Sequence, residues 1–219
     1  MKIISVLSGG MDSTCALYKA IDEGHEVIKA IAFDYGSKHN KMEHHFAEKT
    51  CQKLGVKFEK ILLDFSSLKS DLLISGGDIP EGHYADPTMK RTVVPFRNGI
   101  MLAYSTGIAA SCGAEAIMLG NHFGDHAVYP DCRADFIEPM AAAISAGTYE
   151  KIKLYSPFVG ITKTDIARIG DELGVDWSLT YSCYKGQQDH CGKCGTCVER
   201  VEAFTDSNVF DPTSYDKEI

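Results

Sequence analysis

Two short stretches of this chain bring together residue types that do chemistry. The first, Val6-Leu7-Ser8-Gly9-Gly10-Met11-Asp12-Ser13-Thr14, lies where an apolar run gives way to helix-forming sequence. Ser8, Gly9 and Gly10 let the backbone turn with its N–H groups pointing inward, and a helix beginning near Asp12 aims its positive end at the same spot. Such a turn is an anion site. It is neither the GxxxxGK[ST] loop nor the GxGxxG of dinucleotide binders. Ser8, Ser13 and Thr14 add hydroxyl donors. Asp12 has two uses at such a place: capping the helix, or helping to hold Mg²⁺, which takes one or two carboxylates together with phosphate oxygens.

The second stretch holds half of the eight cysteines. Cys191, Cys194 and Cys197 form two overlapping CxxC units, and Cys183 stands eight residues before the first of them. Four thiolates complete the tetrahedral shell of Zn²⁺, and Gly192 and Gly195 let the backbone curl so that the sulfurs converge. Iron–sulfur clusters use similar spacings, and a pair of disulfides is a third reading. A single structural zinc per chain is the favoured one; a four-sulfur shell is closed and organises the C-terminal segment instead of activating water. Lys185, Lys193 and Arg200 lie close enough in sequence to temper its charge, while His190 reads as a solvated loop residue outside the shell. Cys15, Cys51, Cys112 and Cys132 are scattered singly.

Composition bounds what these sites can serve. The chain has 219 residues, 44% of them hydrophobic and 24% charged, which suits a globular protein with one full core and a small appendage. No window approaches the roughly 18 apolar residues of a membrane span, and the opening turns glycine-rich too soon for a secretory signal. A cytoplasmic chain is expected, which favours metal over disulfides at the cysteines. With 22 Lys and Arg against 30 Asp and Glu, the net charge of −8 argues against nucleic acid as the main partner and for a small-molecule substrate.

The elements that must position both stretches alternate in type. Lys2–Leu7 reads as a strand, the stretch from Asp12 to Gly24 as a helix, His25–Gly36 as a strand, residues 40–54 as a helix and 56–62 as a third strand. This order points to a parallel sheet with helices on both faces. From Ser66 to Arg91 the pattern fades into a long Gly-, Pro- and Asp-rich loop, the kind that serves as a lid or mobile segment. Beyond it come a helix over 98–112, a strand over 115–119, a helix over 135–146, a short apolar piece from Ile152, a helix over 163–173 and a final helix near 198–204. We expect a nucleotide-binding domain over 1–178 and a metal-binding segment over 179–219 packed on it. His39, His44 and His45 are expected on the exposed face of a helix.

Ser-Gly-Gly-x-Asp-Ser after a first strand resembles the pyrophosphate loop of the ATP pyrophosphatase superfamily, whose members cleave ATP between the α and β phosphates to adenylate a substrate. Behind it stand FDYGSKH (Phe33 to His39), VPFRN (Val94 to Asn98), YPDCR (Tyr129 to Arg133) and TYSCYKG followed by CGKCGTC. In that order they closely resemble the 7-cyano-7-deazaguanine synthase family, from Ile3 to Phe204. The resemblance implies a Rossmann-like α/β fold of the adenine nucleotide alpha hydrolase type and Mg²⁺-ATP held by Leu7 through Thr14. It also implies conversion of 7-carboxy-7-deazaguanine and ammonia to the nitrile through an activated carboxylate and an amide, with a homodimer as the assembly. Asp12, Arg97, Arg133 and Lys163 are the expected catalytic residues, the arginines as guanidinium forks for carboxylate or phosphate and the lysine directed at phosphates. Tyr35, Tyr129 and Tyr184 are expected to stack on the base, Asp131 to accept from its ring N–H and amine, and Asn98 to complete the pocket.

Three departures stand out: Ser37-Lys38 where the family commonly has Gln-Arg, Phe96 where it has Gly, and Asp125-His-Ala-Val where it has Asp-x-Ser-Gly. The last lies near the presumed base pocket. A tRNA-modifying enzyme of the same superfamily, or a relative making or transferring a different deazaguanine, is the alternative.

Overall fold

The computed structural model describes residues 1–122 and 128–216; of the departures above, Asp125 to Ala127 lie outside the described residues. The apolar runs form five strands, β1 (Lys2–Val6), β2 (Glu26–Asp34), β3 (Phe58–Leu62), β4 (Ala116–Met118) and β5 (Lys153–Tyr155). Every adjacent pair is parallel and the order is β3-β2-β1-β4-β5. Six α-helices connect and flank them: α1 (Met11–Asp22), α2 (Asn40–Leu54), α3 (Arg97–Cys112), α4 (Ala134–Ala146), α5 (Lys163–Glu172) and α6 (Gly195–Ser207).

Successive strand residues point to opposite faces, so a sheet buried on both sides needs apolar residues at every position. Ile3 and Ile4 on β1 divide in this way, as do Ala116 and Ile117 on β4, and all four are fully buried. Ile3 and Ala116 join a core with Leu17 of α1, Ile166 of α5 and Phe204 of α6. Ile4 and Ile117 join one with Leu102 of α3 and Ile144 of α4. The expected α/β architecture is therefore observed, with strand and helix ends shifted by no more than two residues except at α6, which extends three residues further at each end. The C-terminal segment shares the core: the rings of Trp177 and Phe204 meet edge to face at 5.2 Å.

From β1 the chain winds outward through β2 to β3, then crosses back to place β4 on the other side of β1. The loops leaving the carboxyl ends of β1 and β4 thus part in opposite directions and leave a crevice, the place where open parallel sheets bind ligands. Two glycines set how tightly the elements close around it. Gly9 sits at φ +87°, and a Cβ there would lie 2.3 Å from the Glu43 carbonyl oxygen of α2. At Gly120, just past β4, a Cβ would lie 2.7 Å from the Ser13 Cα.

The long loop is pinned, contrary to its expectation as a lid or mobile segment. The Lys38 ammonium donates to the carbonyl oxygens of Asp71 at 2.6 Å and Gly77 at 2.5 Å, while Arg91 pairs with Asp71 at 2.6 Å. Leu72 and Leu73 fill the core beneath. Lys38, one of the departures, is the bolt. Phe96, another, occupies the left-handed region at φ 56° just before α3, a conformation that costs a non-glycine residue about 1–2 kcal/mol. Its ring meets that of Phe136 edge to face at 5.6 Å, which offsets part of the strain.

Burial corrects the histidine expectations. His39 and His44 are 2% and 6% exposed, because the first turns of α2 face the end of β2 and the segment around Tyr184. The His44 ring nitrogen Nε2 is 3.3 Å from the Phe33 carbonyl oxygen. Of the three, only His45 is exposed.

Gly9→Ala is expected to destabilise the protein by at least about 2 kcal/mol, since a left-handed φ and a backbone clash add together. Urea unfolding followed by circular dichroism measures it.

Candidate active site

The crevice opens into a cleft of about 1100 Å³, including its mouth, lined by both loops. One pole is the turn after β1. Gly10 caps α1 in an extended conformation, so the helix begins at Met11 and its first N–H groups have no carbonyl one turn earlier to bond. The Ser8 and Ser13 hydroxyls meet at 3.0 Å, and Ser13 Oγ also donates to the Gly10 carbonyl oxygen at 3.2 Å, which fixes the turn. The Tyr181 amide donates to the Gly9 carbonyl oxygen at 2.9 Å and braces it from behind. Thr14 is wholly buried, so its hydroxyl does not reach the cleft as expected; position 14 falls on the inner face of α1.

Charge gathers beside this turn. Lys163, at the start of α5 behind a Thr162–Asp165 capping box, places its ammonium 3.3 Å from Asp12 Oδ2 and 2.5 Å from Glu199 Oε2. His122, fully buried after β4, has Nε2 3.8 Å from a carboxylate oxygen of each of those acids. The second Asp12 oxygen, Oδ1, is buried with no hydrogen-bond partner among the described residues. An orphaned carboxylate oxygen beside a phosphate-type turn is where a hard cation is at home, so the residues present fit Mg²⁺.

The other pole is Arg97, half-buried at the start of α3. Its guanidinium donates to the Tyr35 hydroxyl at 3.1 Å. Burial works against its charge, yet the phenols of Tyr35, Tyr184 and Tyr129 hold its pKa well above the usual value. Tyr129 and Tyr184 share a hydrogen bond at 3.0 Å and complete that wall. Glu43 and His39 also face the cleft, His39 Nε2 lying 3.4 Å from Glu43 Oε2. Burial, opposed by Arg97, pushes the Glu43 carboxyl up to about 7, whereas burial and the Arg97 charge push His39 down to about 3. His39 is therefore neutral at physiological pH and the contact is a polar one.

Of the residues expected from the sequence, the structure brings Leu7, Ser8, Gly10, Met11, Asp12, Ser13, Tyr35, Arg97, Asn98, Tyr129, Lys163 and Tyr184 to this one cleft. Asp131 and Arg133 are not among the residues that line it. Asp131 Oδ2 accepts from the Asn98 amide at 2.8 Å, because the first N–H groups of α3 draw a carboxylate to them. Asn98 in turn donates to the Asp131 carbonyl oxygen at 3.2 Å and to Cys132 Sγ at 3.2 Å. Asp131 thus steadies the helix start that carries Arg97, in place of the direct base contact expected of it. Arg133 stands at the cap of α4. Sequence reasoning missed Glu43, His122 and Glu199. Their signals were weak, a lone acid on an amphipathic helix, a histidine ending a strand and an acid after CxxC.

The four C-terminal cysteines form the second site. Their sulfurs all lie within 4.8 Å of one another and are buried. Cys194 and Cys197 are 3.5 Å apart and Cys191 and Cys197 4.0 Å, close to the roughly 3.8 Å edge of a tetrahedron with metal–sulfur bonds of about 2.3 Å. Disulfide bonds would need about 2.05 Å, and all eight cysteines are free. Hydrogen bonding among the four thiols lowers the pKa of Cys191 and Cys183 and raises that of Cys194 and Cys197. The cluster can hold a metal ion such as zinc. His190 stays out of it but is buried, correcting the solvated reading; its Nε2 accepts from the Ser182 amide at 2.9 Å, between the rings of Tyr181 and Tyr215. Arg200 is buried and bonded to Asp211 at 3.0 Å, Thr180 and Ser182.

Comparison with known proteins places relatives around these sites. The family described as queuosine biosynthesis protein QueC matches residues 2–208. The 7-cyano-7-deazaguanine synthase of Porphyromonas gingivalis is 54% identical over 213 residues, 96% of each chain. The enzymes of that name from Caldicellulosiruptor bescii and Methanoregula boonei are 48% and 45% identical, over 100% and 99% of this chain and 99% and 100% of theirs. Among solved structures, the U34-tRNA thiolase NcsA of Methanococcus maripaludis, with its [4Fe-4S] cluster, aligns at a TM-score of 0.52 and 14% identity, over 94% of this chain and 65% of that one. NMN synthetase of Francisella tularensis aligns at 0.50 and 15%, over 86% and 68%. These two likenesses are of fold.

Two outcomes follow from the site. Cys194→Ser is expected to lose the bound metal by elemental analysis and to lower the melting temperature by about 5 °C or more. For Glu43, the folded chain holds a proton that the unfolded chain releases between pH 4.5 and about 7, so its cost to stability is absent at the lower pH and complete above the higher. Glu43→Gln is expected to flatten the loss of stability across that window, measured as unfolding free energy against pH.

Proposed function

The chain belongs to the QueC family of queuosine biosynthesis proteins, and from that premise we propose that it is a 7-cyano-7-deazaguanine synthase. It uses ATP to turn 7-carboxy-7-deazaguanine and ammonia into the nitrile. The observation that carries this reading is the single cleft that joins the phosphate-type turn and Lys163 at one pole to Arg97 and its phenols at the other.

The chemistry explains why both poles are needed. A carboxylate is a poor electrophile. Attack of its oxygen on the ATP α-phosphorus releases pyrophosphate and gives an acyl adenylate, from which neutral ammonia expels AMP to form the amide. Attack of the amide oxygen on a second ATP then releases pyrophosphate, and loss of AMP and of both N–H protons leaves the carbon–nitrogen triple bond. The first activation brings two anions together and the second a weak neutral nucleophile against an anion, so the protein must orient the pair and offset the charge.

The N-terminus of α1, the Ser8 and Ser13 hydroxyls and Lys163 bind the phosphates. Asp12 holds Mg²⁺, which supplies charge neutralisation when bound. Arg97 takes the substrate carboxylate, and the Tyr35, Tyr129 and Tyr184 walls hold the flat base. Asp131 acts through the start of α3, which carries Arg97, and Arg133 is a second guanidinium fork for carboxylate or phosphate. The cysteines hold one structural Zn²⁺ per chain, whose closed shell keeps the 179–219 segment on the 1–178 domain. No described helix is long and apolar enough to cross a membrane. The net charge of −8 suits a free base as substrate better than a nucleic acid. We place the enzyme in the cytoplasm as a homodimer, as the family resemblance implies.

Incubation with ATP, Mg²⁺, ammonium and 7-carboxy-7-deazaguanine, followed by mass analysis, is expected to show the amide and then the nitrile; formation of neither overturns the reading. Asp12→Ala is expected to lower turnover at least about 100-fold while the metal content of the cysteine site stays unchanged.

A further inference from the structure

Glu199 has no part in the chemistry above, yet its side chain is 9% exposed and its Oε2 lies closer to the Lys163 ammonium than Asp12 does, at 2.5 Å against 3.3 Å. A capping box fixes the backbone of Lys163. The box does not set the rotamers of the long side chain, and a lysine carries about 2 kcal/mol of rotamer entropy, so its side-chain contacts aim the ammonium. The Asp12 contact is longer than the 2.7–2.9 Å typical of a charge-assisted bond. Glu199 makes the short one.

Glu199 is also the better fixed of the two acids. It sits on the second turn of α6, a helix capped by Cys194 with Cys197 in its first turn. Its neighbour Arg200 is fully buried and bolted to Asp211, Thr180 and the Trp177 carbonyl oxygen. A partly buried ion pair repays its desolvation poorly as a stabiliser, and this one lies at the rim of the cleft, which Lys163 lines.

We propose that Glu199 is a positioning residue for ATP: through Lys163 it holds the ammonium over the phosphate turn. The inference rests on the reading of that turn as the ATP site. Titration calorimetry with Mg²⁺-ATP, on the metal-loaded full chain, compares wild type with Glu199→Gln, Lys163→Met and the double variant. Glu199→Gln is expected to weaken binding about tenfold, and the double variant to bind no more weakly than Lys163→Met. The KM for ATP is expected to rise while that for the carboxylic acid, the metal content and the melting temperature stay near wild type, and Glu199→Asp to recover part of the affinity.

Unchanged or tighter ATP binding in Glu199→Gln overturns the proposal, the latter because the pair then competes with phosphate. Additive losses in the double variant overturn it as well, since Glu199 would then act independently of Lys163. Loss of metal along with ATP affinity in both Glu199→Gln and Glu199→Asp assigns a structural role and overturns it. Wild type that fails to bind Mg²⁺-ATP overturns the ATP site itself, whereas normal wild-type binding with an indifferent Glu199→Gln overturns only this inference.

Discussion

Backbone crowding at the end of β1 is the constraint on which the rest of this structure depends. Without side chains at Gly9 and Gly120, the α2 backbone closes to within contact of the turn on one side and the end of β4 closes on the start of α1 on the other. The N-terminus of α1 is thereby framed by three elements at the point where the sheet order reverses. A methyl group at either glycine would push one of these walls outward by about an ångström, and positioning of reacting groups tolerates little such movement. The tight turn is therefore a condition for the cleft, and the rest of the fold holds its walls in place.

Electrostatics divide that cleft into two unlike regions. Near the turn, one ammonium lies between two carboxylates, so the described ionic groups there carry a surplus of negative charge that suits a divalent cation arriving with phosphates. At the far end, a half-buried guanidinium is surrounded by phenols and by an acid that burial keeps largely protonated below about pH 7. That region retains net positive character toward a carboxylate. The YPDCR segment contributes indirectly, through Asp131 and the first amide of α3. The cysteine segment is tied to the β1-turn side of the cleft twice, by Tyr181 to Gly9 and by Glu199 to Lys163.

How much was legible in the sequence follows from the range of the interactions involved. The glycine turn after β1 and the four-cysteine cluster are local: their groups lie within a few residues or turns of one another, so glycine placement and CxxC spacing carry them directly. The parallel α/β architecture came from the alternation of apolar runs, with ends off by one to three residues because terminal hydrogen bonds depend on neighbouring elements. The pinning of the 66–91 loop was invisible, since it depends on Lys38 reaching carbonyl groups more than thirty residues away. Burial of His39, His44 and His190 was likewise misjudged, because a polar side chain among polar neighbours in sequence says nothing about which surface covers it.

By itself, then, the sequence determined the fold class, the glycine turn after β1, the four-cysteine cluster and the family, all properties of short-range pattern. Tertiary structure alone decided which charges meet. Lys163 lies 151 positions from Asp12 and 36 from Glu199, and Glu43 becomes a cleft acid only because α2 packs against Gly9. The physical reason is that burial and Coulomb interaction depend on distance in space, which the order of residues along a chain fixes only after the sheet has brought its strand ends together.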